Sequence, residues 1–338
     1  MKQGDVLSAI IFNCVLDVAF ENWKVQLREE GILIHTSVSR LTDTRYADDV
    51  LLYAKSLEEL QKMTELLVIE LQKVGLQLNA DKTKILHSSI YDPGADRDYV
   101  DINTEFVRVL HGNESHRYLG RLLCLSPSDR IRIELQNRKN HAWASFHKHK
   151  KVILNSHVSL AKRVQFFDVC VSPSMLFALV SLPLTRSQIE ELDILQRKML
   201  RRIVGWRRIE GEPWEDTMKR MRDRVENART LYNWTSWSHR FARDQWRFAM
   251  HLTATISPMM STMLRYTSTE RHDSEGLYIP RRFVGRPKMK WDYYLQSFFQ
   301  HSFPDRSSEH WSCVIRDVNC VELERSFIDF SLRGNVES

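Results

Sequence analysis

Arg45-Tyr46-Ala47-Asp48-Asp49-Val50-Leu51-Leu52-Tyr53-Ala54 places two adjacent carboxylates between two short apolar, strand-forming runs. Aspartate favours tight turns, and β-branched and aromatic side chains favour strands. The stretch therefore predicts a hairpin: Arg45 to Ala47, an acidic turn, then Val50 to Ala54. Two negative charges side by side repel, and a bound divalent cation would remove that cost; hard carboxylate oxygens suit magnesium or manganese. An Asp-Asp pair on its own is most simply a solvated turn. What argues otherwise is the sequence on either side.

Upstream, Gln3-Gly4-Asp5-Val6-Leu7-Ser8 leads into a run containing Phe12, Leu16 and Asp17. Downstream come Gly75-Leu76-Gln77-Leu78-Asn79-Ala80-Asp81-Lys82-Thr83-Lys84 and then Arg117-Tyr118-Leu119-Gly120. Taken in order with Tyr46-Ala47-Asp48-Asp49, these stretches resemble the boxes of reverse transcriptases, in particular those of LINE-type (non-LTR) retrotransposons. Val6 and Ala9 stand where that family usually has proline. The resemblance implies RNA-directed DNA polymerisation, a nucleotidyl transfer, with Asp48 and Asp49 as catalytic ligands of Mg2+ or Mn2+. It puts Lys82 near the pyrophosphate leaving group, where a cation or general acid lowers the barrier. It sets Gln3, Gly4, Tyr46 and Ala47 against nucleotide and template, and makes Tyr118, Leu119 and Gly120 the primer grip. The implied partners are an RNA template and a DNA primer or target, with no membrane and no stable protein partner.

The family's first catalytic aspartate belongs to a box upstream of Gln-Gly-Asp, and this sequence opens almost on Gln3-Gly4-Asp5. The fingers, which hold the incoming nucleotide's phosphates, also lie upstream in the family. Two-metal catalysis clamps attacking and leaving oxygens between ions held by several carboxylates. The expectation is thus a partial, truncated polymerase that is inactive alone. The alternatives are a residual nucleic-acid-binding module or a non-functional retrotransposon relic. Leu16-Asp17-Val18-Ala19-Phe20 superficially resembles the missing box, but its place in the motif order is wrong.

At 338 residues, 43% hydrophobic and 27% charged, the chain can bury a real core in two or three domains. A formal charge of +6 suits a phosphate-backbone partner but is spread thinly. Five cysteines with no close pairing argue against a disulfide framework and for a reducing, intracellular compartment, nucleus or cytoplasm. No signal-type segment opens the sequence, and no run reaches the roughly 18 apolar residues of a membrane span.

Apolar spacing at Ile10, Ile11, Cys14, Val15, Val18, Ala19 and Trp23 predicts a first helix capped by Ser8. Ser56-Leu57-Glu58-Glu59 reads as a capping box opening a second helix that ends at Gly75. Strands are expected at 76–78 and 83–87, followed by two hairpins over 91–126, with Gly112-Asn113 as a turn signal and Tyr118-Leu119-Gly120 in the second hairpin. The expected fold class is α+β: a partial polymerase palm (an antiparallel sheet with helices) over 1–125, an all-α thumb over 126–205, and a helical C-terminal region over 206–338.

In the thumb, Asp129 to His149 mixes basic residues with aromatics, and Arg138, Lys139 and Lys148 are candidate phosphate contacts. A helix interrupted near Pro173 follows, then one from Thr185, capped with Gln188, to Val204; its end carries Arg201 and Arg202 and resembles the helix after the thumb in these retrotransposon proteins. Seven of the nine tryptophans lie from Trp206 onward, and Trp234, Trp237 and Trp246 fit a helix over 230–253 with an aromatic stripe that reads as core. Arg281 to Asp292 is similar to a Gly-Arg-Pro box found after the polymerase region of LINE-type proteins, with Arg286, Lys288 and Lys290 as nucleic-acid-binding candidates. That box sets the reading apart from a group II intron maturase. His310, Cys313 and Cys320 lack zinc-site spacing.

Overall fold

The structure is a computed structural model; it describes residues 6–27, 29–32, 40–86, 98–103, 105–111, 114–124, 127–255, 270–272, 278–280, 291–318 and 320–333. The chain divides into two compact units, Met1–Arg130 with Ser257–Val284, and Ile131–Ile256 with Gly285–Ser338. Residues on either side of the expected boundary at 205/206 share one core, which runs from Leu135 to Phe241.

The first unit mixes helices with small sheets. Helix α1 (Val6–Gln26) packs against α2 (Leu57–Lys73). The face of α1 that is buried carries Leu16, Ala19, Phe20 and Trp23, against Met63, Leu67 and Leu71 of α2. This corrects the stripe read from the sequence: Ile10, Ile11, Val18 and Cys14 are exposed. The two largest side chains, Phe20 and Trp23, meet edge to face at 5.4 Å and set which face turns inward. Ser8 lies inside the helix, not at its cap.

Helix α2 begins where the Ser56 hydroxyl accepts from the Glu59 N–H. The reciprocal arm of the capping box is redirected, because the Glu59 carboxylate accepts from the Lys55 and Gly31 N–H groups. At the other end the Leu76 N–H reaches Leu71 O and the Gly75 N–H reaches Gln72 O, a Schellman stop that requires the left-handed φ of 77° at Gly75.

Strands β1 (Asp43–Tyr46) and β2 (Asp49–Leu52) form an antiparallel hairpin. A separate sheet has the order β3-β5-β4, with β3 at Lys84–Leu86, β4 at Tyr99–Ile102 and β5 at Glu105–Leu110. It packs Ile85, Val100, Ile102, Val107 and Val109 against Leu57 of α2. Strand β3 pairs parallel to β5, so this sheet is mixed where an antiparallel one was expected, and 76–78 forms no strand. Strands β6 (His116–Tyr118) and β7 (Arg121–Leu123) make the expected second hairpin, turning through left-handed Leu119 and Gly120. Gly112 and Asn113 lie outside the described residues. A further hairpin pairs β8 (Glu270–His272) with β9 (Tyr278–Pro280).

The second unit holds most of α3 (Pro127–Lys148), then α4 (Lys150–Ile153), α5 (Leu160–Cys170), α6 (Ser172–Leu176), α7 (Arg186–Ile203), α8 (Trp214–Tyr232) and α9 (Trp237–Thr255). Among the described residues, three more helices follow: α10 (Tyr293–Ser302), α11 (Trp311–Val314) and α12 (Cys320–Arg333). Helix α9 is the spine. Its Trp237 and Phe241 belong to the core with α3 and α5–α8, while Ala242, Trp246 and Ala249 face α10–α12. The single helix expected over 230–253 is instead two, because Asn233 takes a left-handed conformation (φ 51°) and ends α8. Thr185 and Gln188 form the expected capping box of α7.

Leu160–Ser181 is long and apolar enough to cross a membrane by length and composition, contrary to the reading of the sequence. Here the stretch is broken between α5 and α6, turns at left-handed Ala178 (φ 56°), and buries Val164, Phe167, Met175 and Leu179 in the helical core.

Candidate active site

Register fixes the hairpin tip. Tyr46 pairs with Asp49, so the loop is Ala47-Asp48 alone. Asp48 is therefore a turn residue and Asp49 the first residue of β2, where the sequence had placed both in the turn. Both carboxylates are exposed, as are Tyr46 and Ala47. Ala47 has φ 53°. A side chain there costs about 1 kcal/mol relative to glycine, a strain of the kind that gathers at working turns.

Arg45 ties the hairpin to α1. Its guanidinium lies 2.7 Å from Asp17 of α1 and 3.2 Å from Asp43 of β1, and rests over the Phe20 ring at 4.5 Å. Lys24 completes the network, 2.8 Å from the buried Asp43 carboxylate. Asp17, Lys24, Asp43, Arg45 and Ala47 line an open polar pocket of about 420 Å³. Asp17 is thereby engaged by Arg45, which gives it a structural role.

A second hairpin stands beside the first. His116 and Tyr118 are i, i+2 on β6 and share a face. Burial, first, and then Lys84 hold His116 below the ordinary histidine range, while Asp49 pulls it the other way. The Tyr118 phenol is pushed up by burial, then by Tyr53 and Asp49, against a hydrogen bond with Thr44. Thr44 Oγ1 and the Tyr53 hydroxyl are 3.0 Å apart. Thus Asp49 and the hairpin carrying Tyr118, Leu119 and Gly120 come together. His116, Lys84, Thr44 and Tyr53 are the neighbours that sequence reasoning missed. Lys82 is exposed, its backbone N–H bound to Asn79 Oδ1 at 3.1 Å. Gln3 and Gly4 lie outside the described residues.

Among the described residues, no group of three or more His, Cys, Asp or Glu side chains is placed to hold a metal ion. Asp48 and Asp49 offer oxygens of the right chemistry for Mg2+ or Mn2+ at a solvent-facing tip. Two carboxylates suit one loosely held ion and fall short of a two-ion clamp.

In the second unit the candidate phosphate contacts diverge. Arg138 is 5% exposed, paired with Glu134 at 2.8 Å and packed over Phe177. That corrects the expectation of a phosphate contact there: the side chain is part of the core. Lys139 is paired with Glu191. Lys148 and Arg202 are exposed, and Arg202 sits 4.8 Å from the Trp143 ring centroid. Arg201 is held below the ordinary arginine range by burial, then by repulsion from Arg197 and Arg222. At the end of α7 Arg163 donates to Ile203 O, and Arg224 donates to the O of Val204, the residue that caps the helix. Arg286, Lys288 and Lys290 lie outside the described residues.

Over 165 residues the chain is 29% identical to a transposon-derived protein of Caenorhabditis elegans, a match covering 49% of this chain and 57% of that one. The chain therefore spans little more than half the length of that relative. It is to reverse transcriptases (RNA-dependent DNA polymerases) that residues 1–123, which hold both hairpins and the helix pinned beneath the first, are similar.

Proposed function

We propose that the chain is part of a LINE-type, non-LTR retrotransposon reverse transcriptase. Residues 1–125 are proposed as a partial palm, and the helices from 126 onward, whose core runs through the expected 205/206 boundary, as a helical thumb continuous with a C-terminal region that carries a Gly-Arg-Pro box. The parent reaction is RNA-directed DNA polymerisation on an RNA template from a DNA primer at the target. The observation that carries the reading is the meeting of Asp49 with the Tyr118 hairpin, far apart in sequence and both within similarity to the polymerase family. Order of the boxes and the transposon-derived relative add support.

In this reading Asp48 and Asp49 bind Mg2+ or Mn2+, which when bound neutralises charge on the transferring phosphate. Arg45 holds their hairpin against α1, Tyr118, Leu119 and Gly120 position the primer, and Lys82 supplies positive charge toward the leaving group. Among the described residues, two carboxylates fall short of a two-ion clamp, and the proposal is therefore that the chain holds nucleic acid without extending it. Primer extension on an RNA template with Mg2+ or Mn2+ tests this. Neither the chain nor Asp48→Ala/Asp49→Ala is expected to extend, while affinity for RNA persists and falls steeply with salt. Extension by the parent chain that disappears in the double variant would reveal a substitute carboxylate and overturn the inactivity. The second reading, a nucleic-acid-binding module, draws on the crowded cations of α7 and α8.

A further inference from the structure

Two tryptophans stand exposed at the corner between α7 and α8. Trp206 is 41% and Trp214 57% exposed, whereas Trp23, Trp237, Trp246 and Trp311 are buried. Their ring centroids are 6.0 Å apart at an interplanar angle of 58°, so the rings are not stacked on one another. Ile209, 49% exposed, lies in the same connecting loop. Large aromatic surface left in water on a folded unit marks a binding surface.

The loop between the helices is braced. Arg220 grips Glu212 with two hydrogen bonds of 2.7 and 2.8 Å and donates a third to Arg207 O. Thr217 Oγ1 donates to the same carboxylate at 2.6 Å. Arg220, then Thr217, pull the Glu212 carboxyl down to about 2, so this clamp stays charged throughout the neutral range. A platform fixed in advance gives up little entropy when a ligand lands on it.

Cations lie near the platform. Arg207 and Arg208 are exposed beside Trp206, and Arg201, near the end of α7, is repelled by Arg197 of the same helix and Arg222 of α8. That repulsion on Arg201 is a cost that an external anion would relieve. Of the nearby acids, Glu215 and Asp216 occupy the first turn of α8, where the helix's own N–H groups offset them, Glu212 is taken up by Arg220, and Glu210 stands exposed in the loop.

We propose that this corner binds single-stranded nucleic acid, with bases stacked on Trp206 and Trp214 and phosphates on Arg201, Arg207 and Arg208. Every base has a π face, so such stacking tolerates any sequence, and a duplex keeps those faces inside its own stack. The inference rests on the nucleic-acid reading above only for the class of ligand. It lies wholly within the second unit and needs neither Asp48 nor Asp49. A protein partner could use the same tryptophans but would leave the crowded arginines unexplained.

The test is fluorescence anisotropy of the full chain with labelled oligo-dT and oligo-U, against a duplex of equal length, in EDTA so that the outcome does not depend on the metal site. Trp206→Ala/Trp214→Ala is expected to weaken single-strand binding by at least about fivefold per stacked base, leaving duplex binding within about twofold. Trp206→Phe/Trp214→Phe keeps most of the affinity, because a phenyl ring still stacks. Arg207→Gln/Arg208→Gln shallows the log–log salt dependence by about 1.4, or roughly 0.7 for each phosphate that is no longer neutralised. If the alanine variant holds single strands as tightly as the parent, or loses single strands and duplex in equal proportion, the proposal fails and the corner is a protein-docking surface instead.

Discussion

Trp23→Ala is expected to destabilise the first unit by about 3–5 kcal/mol, the range for removing a large aromatic from a packed interior. Trp23 is fully buried in the interface of α1 with α2. It meets Phe20 edge to face, and its Nε1–H donates to Met63 O at 2.8 Å across that interface. Alanine removes the ring, leaves a cavity between two helices and deletes the hydrogen bond together. A domain is stable by only about 5–15 kcal/mol, so the loss is a large share of the whole. Hydrogen exchange read by mass spectrometry checks it: amides of 6–27 and 57–73 should lose protection, and those of α9 should not. Trp23→Phe keeps most of the volume and loses the hydrogen bond, for about 1 kcal/mol. Unchanged protection in the alanine variant would mean that the helix pair is held by something other than this packing.

Trp237→Ala should have an effect of similar size in the second unit. The ring is fully buried and stacked on Phe167 at 6.0 Å and 10°, and its Nε1–H donates to Ser172 Oγ at 2.8 Å. Its backbone N–H donates to Gln196 Oε1, so α5, α6, α7 and α9 all meet around one residue. Truncation is expected to cost about 3–5 kcal/mol. Trp237→Phe should be much milder, because the Ser172 hydroxyl is also bound to Asp168 Oδ1 at 2.9 Å and keeps that partner. Urea unfolding followed by far-ultraviolet circular dichroism gives both values. A midpoint for Trp237→Ala equal to that of the parent would place the centre of this core elsewhere.

Both tryptophans sit at helical spacing within apolar stretches, and their burial was legible there. Which face of α1 turns inward was not. That helix is apolar nearly all round, with Leu7, Ile10, Ile11 and Val18 exposed and Leu16, Phe20 and Trp23 buried, so spacing alone admits two stripes and α2 chooses between them. The β1–β2 hairpin could be read from alternation and turn chemistry, yet Asp49 moved from turn to strand because loop length is set by pairing across the strands. The parallel pairing of β3 with β5 is a tertiary event with no local signal. Arg138 did carry a signal: Glu134 stands four residues before it, the spacing of a helical ion pair. His116 could have been found as the residue two before Tyr118 on one strand. Trp206 and Trp214 flank a short Gly- and Arg-containing link, and only their exposure separates them from the buried tryptophans nearby.

Manganese binding tests the central proposal, that Asp48 and Asp49 together hold a divalent cation, most directly. The signal of free Mn2+ in electron paramagnetic resonance falls as the ion binds, so titrating the chain and Asp48→Asn/Asp49→Asn reports both stoichiometry and site. The expected result is one weakly held ion in the parent chain and none in the double variant. Identical binding by the two, or a tightly held pair of ions in the parent, would contradict it.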